Sequence, residues 1–295
     1  MRPVVHVTGA VPERVHAALV ERFTLADKPE GADGILSLLT TTVDGALLDR
    51  AGPQLRIVAN YGVGVDNVDL DAARARNVLV ANRPDVLTET TAELAIALAL
   101  ALLRRVAEGD RFLRRREQWS FSLEFMLGES LRGKTFGVVG PGRIGRATAR
   151  LAEALGARPV FAGRGDDLDA LLSAADVVSL HCPLNAETFH LIDRRALERM
   201  RPSAVLVNTA RGPIVDEGAL VVALREGVIA GAALDVYEHE PTVTQALLSL
   251  ENVVLTPHLG SATKETREAM GMLAVDALRT VLVEGRTPAN TVCRR

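Results

Sequence analysis

The chain has 295 residues, 48% of them hydrophobic and 24% charged, the balance of a folded globular protein long enough for two ordinary domains. A formal net charge of -3 and a pI near 6.1 give no electrostatic reason to expect nucleic acid or an anionic membrane as partner. Cys182 and Cys293 stand far apart in no metal-like or redox-like spacing, which points to a reducing compartment and not to a disulfide framework.

The opening MRPVVHVTGA lacks a signal-peptide pattern, and the longest apolar run, Leu94 to Leu103, is too short to cross a bilayer. A cytoplasmic protein with no membrane partner is therefore expected. The first part of the chain alternates VVHVT, a helical stretch Glu13–Phe23, then GILSLL, LRIVAN and VLVAN, which reads as a small α/β domain. Thr88 opens a long helical pattern to Arg105, with Thr88 and Thr91 as candidate caps and Glu89 in the first turn. The basic cluster Arg111–Arg116 reads as a solvated helix face.

From Thr135 onward six short apolar runs alternate with helical patterns: TFGVVG, RPVFA, DVVSLH, AVLVNT, IAGAALDV and NVVLTP. They are unbroken, not alternating, as strands buried on both faces of a parallel sheet are. The segments between them, including Arg143–Leu155, Arg194–Met200 and Glu217–Glu226, are helix-length, which predicts a doubly wound α/β sheet. A final helix over Thr263–Glu284 is long enough to return the chain to the first domain.

The run TFGVVG leads straight into Gly140-Pro141-Gly142-Arg143-Ile144-Gly145 and then a helix, the setting in which G-x-G-x-x-G binds a dinucleotide. Gly140 permits the tight turn, Gly142 lets a pyrophosphate reach the backbone, and Gly145 lets helix and strand pack closely. In NAD enzymes an acidic residue at the end of the next strand binds the ribose 2′-hydroxyl; here that place falls on Gly163, followed by Arg164. An arginine suits a 2′-phosphate, so NADP(H) is favoured. NAD(H) is the alternative, with Arg164 solvated and Asp166 taking the ribose.

Ligands of open α/β sheets bind beyond the carboxyl ends of the strands. Three such ends carry Arg211, then Tyr237 through Glu240, then His258. A planar, permanently charged arginine suits the carboxylate and carbonyl of a 2-oxo acid. A histidine can protonate the carbonyl oxygen as hydride arrives, and a carboxylate beside it orients the ring. No clustered Cys, His and Asp ligands occur, so no metal is expected.

These residues resemble the D-isomer-specific 2-hydroxyacid dehydrogenase family. The resemblance extends over Tyr61–Asn67, Pro84–Thr88, Thr91–Glu93, the glycine loop, His181–Pro183, Asn208–Glu217, Asp235 and Thr256–Thr263. It implies that Arg211 binds substrate, that His258 is the acid/base and that Glu240 is its partner. It further implies that Asp235 holds the nicotinamide carboxamide. Cys182, Pro183, Thr209, Ala210, His258 and Gly260 would line the cofactor, and the backbone at Val63 and Gly64 would grip the substrate carboxylate. The family's site lies between two domains, and its members are commonly homodimers, here through about residues 94–131, with Trp119 in that arm. Two Rossmann-like doubly wound parallel-sheet domains follow, the cofactor domain (83–267) inserted in the smaller substrate domain (1–82 plus 268–295).

Within the family, Pro84–Thr88 and Gly163-Arg164 look most like NADP-preferring glyoxylate/hydroxypyruvate reductases. Leu38–Thr42 has no basic residue for a substrate phosphate, which favours small unphosphorylated acids. Other readings are an NAD-linked dehydrogenase of another acid, such as D-3-phosphoglycerate or 2-ketogluconate, and a non-catalytic nicotinamide sensor. The chain departs from the family in two places. Only eleven residues, GDDLDALLSAA, separate Arg164 from Asp176, so a third strand is expected to be missing or vestigial. Arg83 replaces a small hydroxyl residue and reads as a surface hinge arginine.

Overall fold

The structure is a computed structural model that describes residues 2–82 and 85–293. In chain order the elements begin β1 (Val4–Val7), α1 (Glu13–Arg22), β2 (Thr24–Ala26), β3 (Gly34–Ser37), α2 (Gly45–Ala51), β4 (Ile57–Asn60), α3 (Leu70–Ala75) and β5 (Leu79–Ala81). Next come α4 (Thr88–Leu103), α5 (Val106–Arg114), β6 (Thr135–Val139), α6 (Arg143–Ala154), β7 (Arg158–Ala162), α7 (Leu168–Ala174) and β8 (Val177–Leu180). The chain continues through α8 (Arg194–Arg199), β9 (Val205–Asn208), α9 (Glu217–Glu226), β10 (Gly231–Leu234), α10 (Gln245–Leu248) and β11 (Val253–Leu255), and closes with α11 (Lys264–Leu282) and β12 (Thr291–Cys293). It divides into two compact units, Met1–Leu87 with Thr263–Arg295, and Thr88–Ala262.

The first unit holds a six-stranded sheet in the order β12-β5-β4-β3-β1-β2, parallel except for β12 at one edge. Successive strand residues serve opposite faces. Leu36, Ile57, Ala59 and Leu79 pack with α1 and α11, whereas Ile35, Val58 and Val80 pack with α2 and α3. The antiparallel strand β12 is a feature that the expected parallel sheet lacks. Its three residues carry no period long enough to announce a strand.

The second unit repeats the plan with a sheet in the order β11-β10-β9-β8-β6-β7. Phe136, Val138, Val177, Val205 and Val207 face α4 and α6, while Val139, Val178, Leu180 and Leu206 face the other layer. Both faces are covered, which is why these strands read as unbroken apolar runs. Each fully buried aliphatic side chain contributes roughly 1.5–3 kcal/mol. Between Ala162 and Val177 the chain makes α7 and no strand, so β7 is the sheet edge beside β6. The shortened interval predicts that loss.

Aspartates start most of the short helices: Asp44, Asp69, Asp167, Asp193 and Asp216 each accept the N–H three residues on, at 2.8–3.0 Å. Thr91 does not cap α4; it is buried inside the helix and donates to Gly260 O at 3.0 Å. The basic cluster is an ion-paired surface, with Arg111 and Arg115 on Glu251 and Arg114 on Asp110. Arg83 and Pro84 lie outside the described residues. Among the described residues no helix is long and apolar enough to cross a membrane.

Candidate active site

At the end of β6 the chain turns at Gly140, whose φ of +93° lies in the region that favours glycine. A Cβ there would stand 2.5 Å from Cys182 N, and one at Gly145 would stand 2.3 Å from Gly140 O. Both glycines are therefore required by close packing. At Gly142 a Cβ would meet nothing within 4 Å, so the space before the first turn of α6 is open. Arg143 and Ile144 occupy that turn, where N–H groups have no partner within the helix and attract phosphate. Cys182 packs behind the loop, and burial pushes its thiol up to about 11, so it sits there as a neutral group. Pro183 follows it, exposed. Thr209 is buried, with its Oγ1 lacking a partner among the described residues. The open cradle and this orphaned hydroxyl fit a bound dinucleotide.

At the end of β7, Gly163 N–H donates to Asp166 Oδ2 at 2.7 Å, so the carboxylate of Asp166 folds back to the strand end. A Cβ at Gly163 would lie 3.5 Å from that oxygen. Arg164 is 85% exposed and pairs with Glu187 from the segment after β8.

Beyond β9, Asn208 shapes the next loop. It accepts the Ala210 N–H at 3.0 Å and donates to Arg211 O at 2.9 Å. The Arg211 side chain donates to Ala210 O at 2.7 Å. Gly212 lies flat against the following loop, because a Cβ there would fall 1.9 Å from Tyr237 C and O. That second loop carries Glu240, whose Oε1 accepts the Tyr237 N–H at 3.0 Å and whose Oε2 lies 2.8 Å from His258 Nδ1. Burial acts to raise the Glu240 pKa. The hydrogen bond and charge of His258, the Tyr237 N–H and the Arg211 charge outweigh it and hold the carboxyl below its ordinary value. The three side chains singled out at separate strand ends thus act on one another within one unit.

His258 has φ +55°, a conformation that costs a β-carbon-bearing residue free energy. Asp235 explains how it is held. Its Oδ1 accepts Thr256 Oγ1 at 2.6 Å and Leu259 N–H at 2.7 Å, its Oδ2 accepts Gly260 N–H at 2.8 Å, and its carbonyl accepts His258 N–H at 2.8 Å. The side-chain bonds of Asp235 in the structure all go to the turn that carries His258. Burial, opposed by those donors, raises its pKa.

In the other unit, the loop after β4 carries Val63 and Gly64. Asn82 Nδ2 donates to Val63 O at 2.8 Å and Asn60 Nδ2 to Gly64 O at 2.7 Å, which fixes both peptide planes. Asn60, Asn82 and Asn208 are missed by a reading that looks for charge, although a polar residue ending an apolar strand is a signal that could find Asn60 and Asn208. Among the described residues no group of three or more His, Cys, Asp or Glu side chains could hold a metal ion.

Residues 96–260 match the family described as D-isomer specific 2-hydroxyacid dehydrogenase, NAD binding domain. The chain is 46% identical to a glyoxylate reductase of Aeropyrum pernix over 92% of this chain and 86% of that protein. It is 40% identical to a glyoxylate reductase of Thermococcus litoralis, over 99% of this chain and 97% of that protein. That match runs over 324 positions, more than the 295 residues here, so the relative has segments that this chain lacks. An NADPH-dependent glyoxylate/hydroxypyruvate reductase from Sinorhizobium meliloti, solved in complex with NADP and malonate, is 38% identical with a TM-score of 0.87, covering 100% of this chain and 99% of that one.

Proposed function

Because this chain belongs to the D-isomer-specific 2-hydroxyacid dehydrogenase family, whose members are NAD(P)-dependent oxidoreductases, we propose that it reduces glyoxylate or hydroxypyruvate to the D-2-hydroxy acid, with NADPH as the preferred reductant. The observation that carries this reading is the 2.8 Å contact between His258 Nδ1 and Glu240 Oε2, within the field of Arg211.

When bound, the reduced nicotinamide supplies the hydride. Gly140, Gly142, Arg143, Ile144 and Gly145 would hold the pyrophosphate, Arg164 the 2′-phosphate, and Cys182, Pro183, Thr209, Ala210 and Gly260 the remainder. Asp235 contributes through the turn it holds and any acceptor capacity left on Oδ2. The Arg211 guanidinium draws in the carboxylate and polarises the carbonyl of the substrate. The backbone at Val63 and Gly64 takes the substrate carboxylate. Glu240 accepts a hydrogen bond from the proton on His258 Nδ1, and in the imidazolium form a second proton on Nε2 is delivered to the carbonyl oxygen, leaving the neutral ring. The loop Leu38–Thr42 presents hydroxyls, Thr41 Oγ1 bonding Thr8 Oγ1 at 2.9 Å, and no cation for a substrate phosphate, which supports small acids.

A second reading, NADH as reductant, is favoured by the Asp166 carboxylate at the end of β7, which repels a 2′-phosphate and suits a ribose hydroxyl. Initial rates with NADPH and NADH against glyoxylate, hydroxypyruvate, pyruvate and 2-ketogluconate test both. Cofactor binding without turnover of any of these acids would turn the reading to a nicotinamide sensor. We further place the protein in the cytoplasm and assign the arm around Trp119 to a homodimer contact, since Trp119, Phe121, Leu123 and Leu127 are exposed.

A further inference from the structure

Three residues of the Thr88–Ala262 unit have no part in the chemistry described so far. His190 lies in the segment after β8, Glu217 opens α9 behind the Arg211 loop, and Glu238 stands two residues before Glu240. Their side chains close a circuit. His190 Nε2 lies 2.8 Å from Glu238 Oε1, so that nitrogen carries a proton and donates it. Glu238 Oε2 accepts the Glu217 N–H at 3.3 Å, and Glu217 Oε1 accepts the Glu238 N–H at 2.5 Å. Thr244 Oγ1 donates to the other Glu217 oxygen. Asp216 Oδ2 is 4.0 Å from His190 Nδ1, and the Phe189 ring stacks on the imidazole at 4.1 Å between centroids.

Backbone bonds run alongside. His190 N–H donates to Pro213 O at 2.8 Å, Ile192 N–H to Ile214 O at 3.0 Å and Asp216 N–H to Ile192 O at 3.1 Å. The segment after β8 is thereby laced to the one that carries Arg211.

A carboxylate as buried as Glu217, facing a second one, is costly unless donors meet it. Here Glu217 takes its donors, the Glu238 N–H and Thr244 Oγ1, from the segment that bears Glu240. Glu238 adjoins Tyr237, whose N–H binds Glu240 and whose carbonyl carbon touches Gly212. A shift of Glu238 therefore moves Glu240 against His258 and Arg211 together.

We propose that His190, Glu238 and Glu217 are positioning residues that clamp the Glu240 loop to the Arg211 loop and so keep Arg211, Glu240 and His258 in productive register. This rests on the catalytic roles proposed above. His190 touches none of the three; it acts through Glu238.

The test compares wild type, His190→Ala, His190→Gln, Glu238→Gln and, as control, His258→Ala. Readouts are kcat and KM for glyoxylate and hydroxypyruvate, NADPH and NADH affinity by fluorescence, and the melting curve. His190→Ala should lower kcat roughly tenfold or more, because misplacement near 1 Å is felt strongly in rate, with cofactor affinity within about twofold. His190→Gln, which can place a donor near Glu238, should restore most of the rate. A clamp that served folding alone would lower the melting temperature and leave kcat unchanged, and that result overturns the proposal, as does a loss that glutamine fails to rescue. If His190→Ala does not melt cooperatively, Glu238→Gln decides: it keeps the shape, weakens the circuit and should still lower kcat, and an unchanged kcat overturns the proposal. Retained turnover in His258→Ala would instead overturn the assignment of the site, and the clamp with it.

Discussion

His258 Nδ1 and Glu240 Oε2 stand 2.8 Å apart, and the opposite oxygen of the same carboxylate is anchored 3.0 Å from Tyr237 N. The carboxylate cannot turn without losing one of these bonds, so the imidazole plane is set by the backbone of the loop after β10. Replacing His258 by alanine should lower kcat by about 10²–10⁴, the usual share of a positioned general acid. Glu240→Gln should keep the fold and lower kcat by a smaller factor, since glutamine can orient the ring but not stabilise its charged form. The pH dependence follows in sign. Glu240 is held below its ordinary value, chiefly by His258 against the effect of burial, so it stays ionised as pH falls through the usual carboxylate range. The acid limb of kcat/KM should therefore not report Glu240 near 4.5, and a limb at that value, abolished in Glu240→Gln, would contradict this ordering.

The proposed preference for NADPH is tested at the end of β7. Arg164 reaches Glu187, and an ion pair this exposed contributes at most about 1 kcal/mol. A 2′-phosphate can displace Glu187 and gain charge-assisted bonds. Arg164→Ala should raise the NADPH dissociation constant roughly tenfold and leave NADH within about twofold. Asp166→Asn should tighten NADPH by removing a repelling charge. Titration of both variants with both cofactors checks this; equal losses for NADPH and NADH in Arg164→Ala would transfer the preference to Asp166.

Gly212 links two of the site's loops by simple contact. A methyl group there would lie 1.9 Å from Tyr237 C and O, so the loops must part by more than 1 Å. Gly212→Ala should lower kcat/KM by about 10²-fold and weaken the cofactor by a smaller factor, because Thr209 and Ala210 share its loop while the glycine loop lies on other elements. Steady-state kinetics beside cofactor titration separates the two effects, and near-normal turnover would show that the loops are not coupled.

Much of this architecture was legible in the residues because local and global signals agree. The strands of the second unit are covered on both faces, which produces apolar runs such as AVLVNT, and the loop from Gly140 to Gly145 stands in the required strand-to-helix setting. The missing third strand could be read from chain length alone. What was not legible depends on tertiary placement. Nothing local distinguishes Thr91 as a helix cap from Thr91 as a buried donor to Gly260. Nor does anything local show that the Asp235 carboxylate holds the turn of His258, which is distant in sequence. The circuit through His190, Glu217 and Glu238 spans 48 residues, beyond the reach of any periodicity.

The arm after α5 exposes Trp119, Phe121, Leu123 and Leu127, with Trp119 stacked on Phe125 at 5.9 Å. Apolar side chains held in order at the surface lower the free energy of a complex that covers them. Sedimentation should show a dimer for the wild type and a shift toward monomer for the double variant Phe121→Ser, Leu123→Ser. A wild-type monomer at all concentrations tested would leave the arm without this role.

His181 sets the last expectation, for stability against pH. It follows β8, with its Nε2 2.8 Å from Ser179 Oγ, and burial pushes its pKa from 6.5 down to about 4. The folded protein thus keeps the ring neutral between these values while the unfolded chain takes up a proton. The unfolded state binds more protons there, so stability rises with pH. The contribution is complete above 6.5, is lost progressively as pH falls, and declines no further below about 4. Between pH 8 and pH 5 the loss traceable to this ring should be on the order of 1–2 kcal/mol. His181→Gln keeps a partner for Ser179 but has no proton to take up, so its denaturant midpoint should fall less over the same interval. Equal pH dependence in both proteins would mean that the imidazole is hydrated when charged.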